Sequence, residues 1–290
     1  MKIRDALLND PNVDAVYVSS PNALHHQQTV QAARAGKHVL CEKPMALTVE
    51  DCEEMIDVCE RARVRLGLCF HARHHPLIQE ARKVVQEGTL GVVALVEAQW
   101  GSGLRGHIKP PTREGRQEWR EHSELAGAGA FMDSGVHVVD LTRFILGQEV
   151  VEVTAMADTN SAPNTLENLA TLLLRYEDGS LGMVCAGRRL PDSRRDAVVY
   201  GSDGRAAMYD ALSTDLQGTL EVKAESVNKT ITHELDPIGM YRRMVDEFNQ
   251  AILEDKEPNA SGFDGLQVAR VAQAFRQSVE TGRSIKLAQP

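Results

Sequence analysis

Apolar and polar positions follow two different rhythms along this chain, and the change between them divides it. In residues 14–70, short β-branched runs alternate with longer stretches of helical spacing. DAVYVSS (14–20) reads as a buried strand ending at Pro21. Asn22 is placed to cap a helix through LHHQQTVQAARA (24–35), and Gly36 to end it in a left-handed turn. KHVLCEKP (37–44) is a second strand, closed by Pro44. Thr48 and Asp51 form a T-x-x-D capping box before the amphipathic EDCEEMIDVCERAR (50–63), and RLGLCF (65–70) is a third strand. Strands joined by helices of this length predict parallel βαβ units. HPLIQEARKVVQE (75–87) is a further helix, ending at Gly88.

Beyond it the period changes to two. Eight extended runs between 92 and 235 carry turn residues between them, and Asp178-Gly179 marks a hairpin. Helices over 134–146, 241–254 and 263–280 interrupt or close this region. The expectation is an α/β chain: a truncated Rossmann-type parallel sheet over residues 1–72, then an α+β domain over 73–290 built on a large, mostly antiparallel sheet.

Composition narrows the partners. The chain has 290 residues and a formal net charge of −9, which disfavours a nucleic-acid surface, since phosphate binding needs a concentrated basic footprint. No stretch approaches the roughly 18 apolar residues of a membrane span. The five cysteines are an odd number without a C-x-x-C, as in reduced, buried thiols of a cytoplasmic protein.

GSGLRG (101–106) is a literal G-x-G-x-x-G behind a strand-like run. A dinucleotide loop must turn straight into a helix whose free N–H groups meet the pyrophosphate. Here Pro110 and Pro111 follow, which forbids that helix, so the string reads as a surface loop. AGAGAF (126–131) contains G-x-G but has no strand before it.

Three clusters carry candidate chemistry. Glu42-Lys43-Pro44 ends a buried parallel strand, where open α/β sheets place ligands. Lys43 is there either a reactive or polarising amine, or half of a surface ion pair with Glu42. In MDSGVHVVDL (132–141), Asp133, His137 and Asp140 fall at i, i+4 and i+7 on one helical face. That spacing fits a histidine base oriented by a carboxylate, a capping Asp beside an ordinary His, or metal ligands of a hydrolase or isomerase. The third cluster is the turn at Ser19–Asn22 together with FHARHHP, whose Arg73 falls on the same sheet edge as Lys43; its histidines read as solvated.

PNALH (21–25), AGKHVLCEKPMALT (35–48) with its EKP motif, HARHHP (71–76), MDSGVHVVDL and LDPIGMYRRMVDEFNQAI (235–252) together resemble the Gfo/Idh/MocA oxidoreductases, relatives of glucose–fructose oxidoreductase and inositol dehydrogenase. The resemblance spans essentially the whole chain. It implies a Rossmann domain binding NAD or NADP, then a substrate and oligomerisation domain. It implies hydride transfer at a carbinol carbon of a sugar, cyclitol or related polyol, in a homo-oligomer (dimer or tetramer). Lys43, Asp133 and His137 become the catalytic candidates, with His137 the acid/base held by Asp133. Ser20, Pro21, Asn22, His25, Glu42, Lys43, Arg73, Trp119 and Arg120 become the residues bordering the cofactor. No metal is implied.

The pattern lacks the family's opening strand, glycine loop and the residue that selects NAD or NADP. The resemblance therefore implies that the glycine-loop βαβ portion is absent from this chain, which leaves its own activity in doubt and DAVYVSS as an open edge prone to dimerisation or aggregation. A catalytically inactive sugar-binding or regulatory relative is the alternative.

Overall fold

A computed structural model describes residues 3–106, 112–159 and 166–287. Its first part is a three-stranded parallel sheet. Helix α1 (Ile3–Leu8) precedes β1 (Ala15–Val18), and a 3₁₀ turn at Asn22–Leu24 leads into α2 (His25–Arg34). β2 (His38–Cys41), α3 (Val49–Ala62) and β3 (Leu66–Leu68) follow, and the strand order is β1-β2-β3. The signals for these elements are local. Thr48 Oγ1 accepts the Asp51 N–H at 3.1 Å, and Cys52, Met55 and Cys59 line the buried face of α3. Gly36 stands at φ +73° just past the end of α2. The Asn22 side chain does not cap its helix. Its amide is buried and donates instead to Ala126 O at 2.9 Å, a partner 104 residues away.

After α4 (Pro76–Gln86) the chain builds a nine-stranded sheet in the order β11-β10-β9-β8-β4-β7-β6-β5-β12. The strands are β4 (Val93–Gly101), β5 (Val150–Ala157), β6 (Leu169–Tyr176), β7 (Leu181–Gly187), β8 (Ala197–Gly201), β9 (Gly204–Tyr209), β10 (Leu216–Ala224), β11 (Asn228–Asp236) and β12 (Ile285–Lys286). Neighbours are antiparallel except β4 and β7, which run parallel. Gly179 in the β6–β7 hairpin has φ +87°, as the Asp-Gly signal requires. β6 shows the alternation plainly: Ala170, Leu172, Leu174 and Tyr176 are buried, while Thr171, Leu173 and Arg175 face outward.

One-turn α5 (Ser123–Ala126) and α6 (Val136–Leu146) lie between β4 and β5; α7 (Gly239–Leu253) and α8 (Gly262–Thr281) follow β11. α8 packs on α3 and β3 of the small sheet and on β5 of the large one, and Leu68 N–H donates to Ala260 O at 2.8 Å. Phe131 stacks on Phe275 of α8, with ring centroids 4.3 Å apart. All five cysteines are free thiols. No helix among the described residues is long and apolar enough to cross a membrane.

GSGLRG is a surface loop, exposed at Ser102 and from Leu104 to Gly106, but pinned at Gly103. A Cβ on Gly103 would stand 2.8 Å from Leu190 N, so only glycine lets the two backbones approach. The residues after it, with Pro110 and Pro111, lie outside the described residues.

A buried charge cluster joins the two sheets. Arg73, 4% exposed, follows β3 and donates through Nε and Nη2 to both oxygens of Asp140 on α6, at 2.8 and 2.6 Å. Nη2 also reaches Asp264 of α8 at 2.6 Å, and Nη1 reaches Asn259 O at 2.6 Å. Arg73→Met leaves two buried carboxylates short of their cation. Its expected cost is about 3–5 kcal/mol, the range for removing one partner of a buried pair. Denaturant unfolding monitored at equilibrium measures it, and a loss below about 1 kcal/mol contradicts the assignment of this cluster as the fastening.

Candidate active site

The three parallel strands end on one edge, so the segments after them meet there: residues 19–22 after β1, 42–44 after β2 and 69–73 after β3. Opposite this edge stand β4, α6 and the 3₁₀ segment Gly115–Glu121. Between them is a cavity of about 330 Å³ lined by Glu42, Lys43, His71, Trp100, Asp133 and His137, with Arg113, Arg120, Arg188 and Tyr241 also on its wall.

Lys43 Nζ donates to the backbone carbonyl of Asp133 at 2.5 Å. Burial lowers the Lys43 proton affinity from its ordinary value, opposed by the charges of Asp133 and Glu42. His137 is 5% exposed, with its ring stacked on Trp100 at 5.2 Å and set edge-on to His71 at 4.7 Å. Burial, then the nearby Lys43 charge, pushes His137 well below its usual value, so the ring is neutral. The cavity thus sets an amine of lowered proton affinity near an uncharged imidazole.

Asp133 does not orient His137. Its carboxylate is taken by Arg113 and by Arg120 at 2.5 Å, while His137 Nδ1 is buried without a hydrogen-bond partner among the described residues. The reason is local geometry. Phe131–Gly135 form a π-helical turn, wider than an α turn, so i and i+4 no longer share a face. Burial works to raise the Asp133 affinity, but Lys43, Arg113 and Arg120 hold it below the ordinary carboxylate value. Asp140, read on the same face, is turned into the Arg73 cluster. The triad spacing that suggested a metal site is therefore not a convergence in space.

The cofactor candidates separate into two groups. Ser20 Oγ is buried and lacks a partner among the described residues, which leaves it a free polar group at the end of β1. Pro21 starts the 3₁₀ turn, and Asn22, Trp119 and Arg120 line a small hollow together with Asp133. His25 links the first two strand ends, its ring nitrogens 2.8 Å from Ser20 O and 2.8 Å from Pro44 O. Glu42 accepts the Tyr17 hydroxyl at 2.5 Å and the Lys43 N–H at 3.1 Å. Arg73 stands apart. It belongs to the buried cluster, where four of its donor contacts are already used, and its side chain faces α6 and α8 instead of the cavity.

Arg113, His71, Trp100, Arg188 and Tyr241 join the cavity without having been singled out in the sequence. His71 carried a signal in HARHH, but the reading of those histidines as solvated was wrong. His71, His74 and His75 are all buried. His75 Nδ1 accepts the Leu77 N–H at 3.1 Å, capping α4, while Nε2 faces Gln217 O at 2.8 Å, an arrangement that fits the neutral ring.

Known proteins are similar to this chain in sequence and fold. Residues 2–70 match the family described as oxidoreductase, NAD-binding Rossmann fold, and residues 78–207 match the GFO/IDH/MocA C-terminal domain. The 1,5-anhydro-D-fructose reductase of Ensifer adhaerens is 30% identical over 286 residues, which cover 98% of this chain and 82% of that protein. The myo-inositol 2-dehydrogenase of Thermotoga maritima is 29% identical over 287 residues, 97% of this chain and 82% of the relative. The crystal structure of aldose-aldose oxidoreductase from Caulobacter crescentus, complexed with glycerol, superposes with a TM-score of 0.83 at 32% identity, covering 98% of this chain and 82% of that one.

The buried histidines make stability depend on pH. Burial is the main cause that pushes His71 down to about 3 and His74 and His75 down to about 4, against an ordinary 6.5. An unfolded chain binds these protons near 6.5 and the folded chain does not, so unfolding takes up protons as pH falls through this window. Tm is expected to decline steadily from about pH 6.5 towards 4, with an uptake of at least about three protons per molecule near pH 5, the neutral His137 adding to these three rings. Calorimetric melts at fixed ionic strength measure this; a Tm that stays flat across the window speaks against buried neutral rings.

Proposed function

The chain belongs to the Gfo/Idh/MocA oxidoreductases, and on that footing we propose that it interconverts a carbinol and a carbonyl on a sugar, cyclitol or related polyol, with NAD or NADP as the redox partner. The observation that carries this reading is the meeting of the Lys43 ammonium and the neutral His137 ring in one cavity at the strand ends. A polyol offers hydroxyl groups that both can bond.

A nicotinamide dinucleotide, when bound, supplies the hydride acceptor for oxidation and the donor for reduction. The hollow lined by Asn22, Trp119 and Arg120 suits a polar group of such a molecule, and the unpartnered Ser20 Oγ at the end of β1 offers it a hydroxyl, with Pro21, His25 and Glu42 shaping that turn. On this reading residues 1–72 serve chiefly the cofactor and 73–290 the substrate, with Trp119 and Arg120 reaching from the second part to the cofactor. A homo-oligomer is supported by the outer face of the large sheet, where Met156 (75% exposed), Leu173 and Met183 line a hollow of about 470 Å³.

The proton moves as follows. Burial and the Lys43 charge both disfavour a second cation on His137, so at rest the proton is on Lys43 and the imidazole is neutral. In oxidation the carbinol C–H bond breaks with its electron pair, the O–H proton passes to His137, and the carbon–oxygen double bond forms. Lys43 hydrogen-bonds that oxygen throughout and offsets its developing negative charge. Asp133 contributes through its backbone carbonyl, which aims Lys43, while its carboxylate anchors Arg113 and Arg120.

Lys43→Ala is expected to slow the chemical step at least about 100-fold, the low end of acid–base contributions. Single-turnover hydride transfer at saturating substrate, run with NAD and with NADP on D-xylose and myo-inositol and with NADH and with NADPH on 1,5-anhydro-D-fructose, measures it. Near-normal rates in the variant remove Lys43 from the mechanism. Absence of turnover by the wild type with all three favours the reading of a non-catalytic relative.

A further inference from the structure

One buried carboxylate has no part in the proton chemistry. Glu167, 4% exposed, precedes β6. Its Oε2 accepts the Gly129 N–H at 2.9 Å and its Oε1 the Phe131 N–H at 2.8 Å. Its backbone carbonyl accepts the N–H between them, that of Ala130, at 2.8 Å. Three consecutive donors at the head of a helix are thus satisfied by a single residue. The approach is so close that a Cβ on Gly129 would lie 1.9 Å from Glu167 O, so residue 129 must be glycine.

What this grip controls lies a few residues on. From the gripped residues Gly129 to Phe131 the chain runs directly into the π turn Phe131–Gly135 and then α6. The turn presents the Asp133 carbonyl to Lys43, and the helix carries His137. Both members of the proton-transfer pair are therefore placed through the same short backbone segment.

Resting on the assignment of that pair, we propose that Glu167 is a positioning residue. Its carboxylate fixes the head of the π turn, and through it the Asp133 carbonyl that holds Lys43 and the entry of the helix that bears His137. The charge suits the place: an anion at a helix N-terminus makes charge-assisted bonds to N–H donors. A glutamine there has one acceptor oxygen and an NH₂ group that would confront the second N–H.

The test compares wild type with Glu167→Gln, without cofactor. Lys43 is surrounded by Glu42, Asp133, Arg113, Arg120 and His137, so its titration reports any displacement of this set. In protein labelled with ¹⁵N-lysine, the Lys43 Nζ midpoint is expected to shift by at least about 0.5 unit in the variant, an amount of differential interaction well above measurement error. In single turnover with NADP and D-xylose, the rate is expected to drop about 10–100-fold with KM changed less than about twofold. A variant that melts lower but keeps both the Lys43 midpoint and the rate gives Glu167 a purely structural role and overturns the proposal. If the wild type does not turn over D-xylose, that result bears on the proposed activity, and the Lys43 titration still decides the inference. If the variant does not fold, amide exchange in the wild type decides. Gly129 and Phe131 amides as protected as the core of α6 support the grip; exchange at unprotected rates refutes it.

Discussion

The structure hangs on the guanidinium of Arg73. That group closes a cluster containing Asp140, Asp264, Arg143 and Glu149, all removed from water to a large degree. Burying such charges is costly, and apolar residues of the same volume would hold the parts together at least as well. The cluster supplies direction. A guanidinium bonding both oxygens of Asp140 and one of Asp264 fixes distances and angles among the end of β3, α6 and α8 that apolar contacts leave free to slide. His137 is one turn from Asp140 on α6, and Lys43 follows the strand beside β3, so this fastening also sets how the two approach. Phe144 completes it, with the Arg73 guanidinium 4.9 Å above its ring.

Within the cavity, charges are arranged differently. Where Arg73 is fully paired, Lys43 has a backbone carbonyl and two nearby carboxylates, of which Asp133 is already engaged by two arginines. The pocket thus tolerates one positive charge on the Lys43–His137 pair and discourages a second. On the proposed mechanism Lys43 keeps its proton at rest, and His137 takes one only as the substrate hydroxyl gives it up. Stability is concentrated in the saturated cluster, and reactivity in the cluster left one partner short.

The elements that could be read directly from sequence are those whose causes are local. Alternation marked β4 to β11, the Thr48 cap and Gly36 turn bounded their helices, and Asp178-Gly179 placed its hairpin. Lys43 at the end of β2 followed from strand polarity alone. The failures share a different origin. Asn22 looks like a cap until its amide meets Ala126, and Arg73 looks like a cofactor-edge residue until Asp140 of α6 and Asp264 of α8 take its guanidinium. Asp133 and His137 have α-helical spacing, but the backbone between them is a π turn, set by Glu167 from 34 residues downstream of Asp133. The parallel pairing of β4 with β7 and the short β12 likewise depend on contacts that no window of sequence contains.

The two G-x-G strings make the point in chemical terms. Glycine pairs are sought as phosphate loops because a missing Cβ exposes backbone N–H groups. Here both pairs use the missing Cβ to bring protein against protein: Gly103 against the backbone at Leu190, Gly129 against Glu167. At Gly129 the resemblance to an anion cradle goes further, since N–H groups at a helix start do enclose a negative charge. The anion is supplied by the chain itself. A motif that marks ligand binding when its N–H groups face solvent thus becomes a device for shaping the active site when a carboxylate of the same protein fills it. What distinguishes the two is the presence of a buried acid such as Glu167 at the end of a neighbouring strand, and that is a property of the fold.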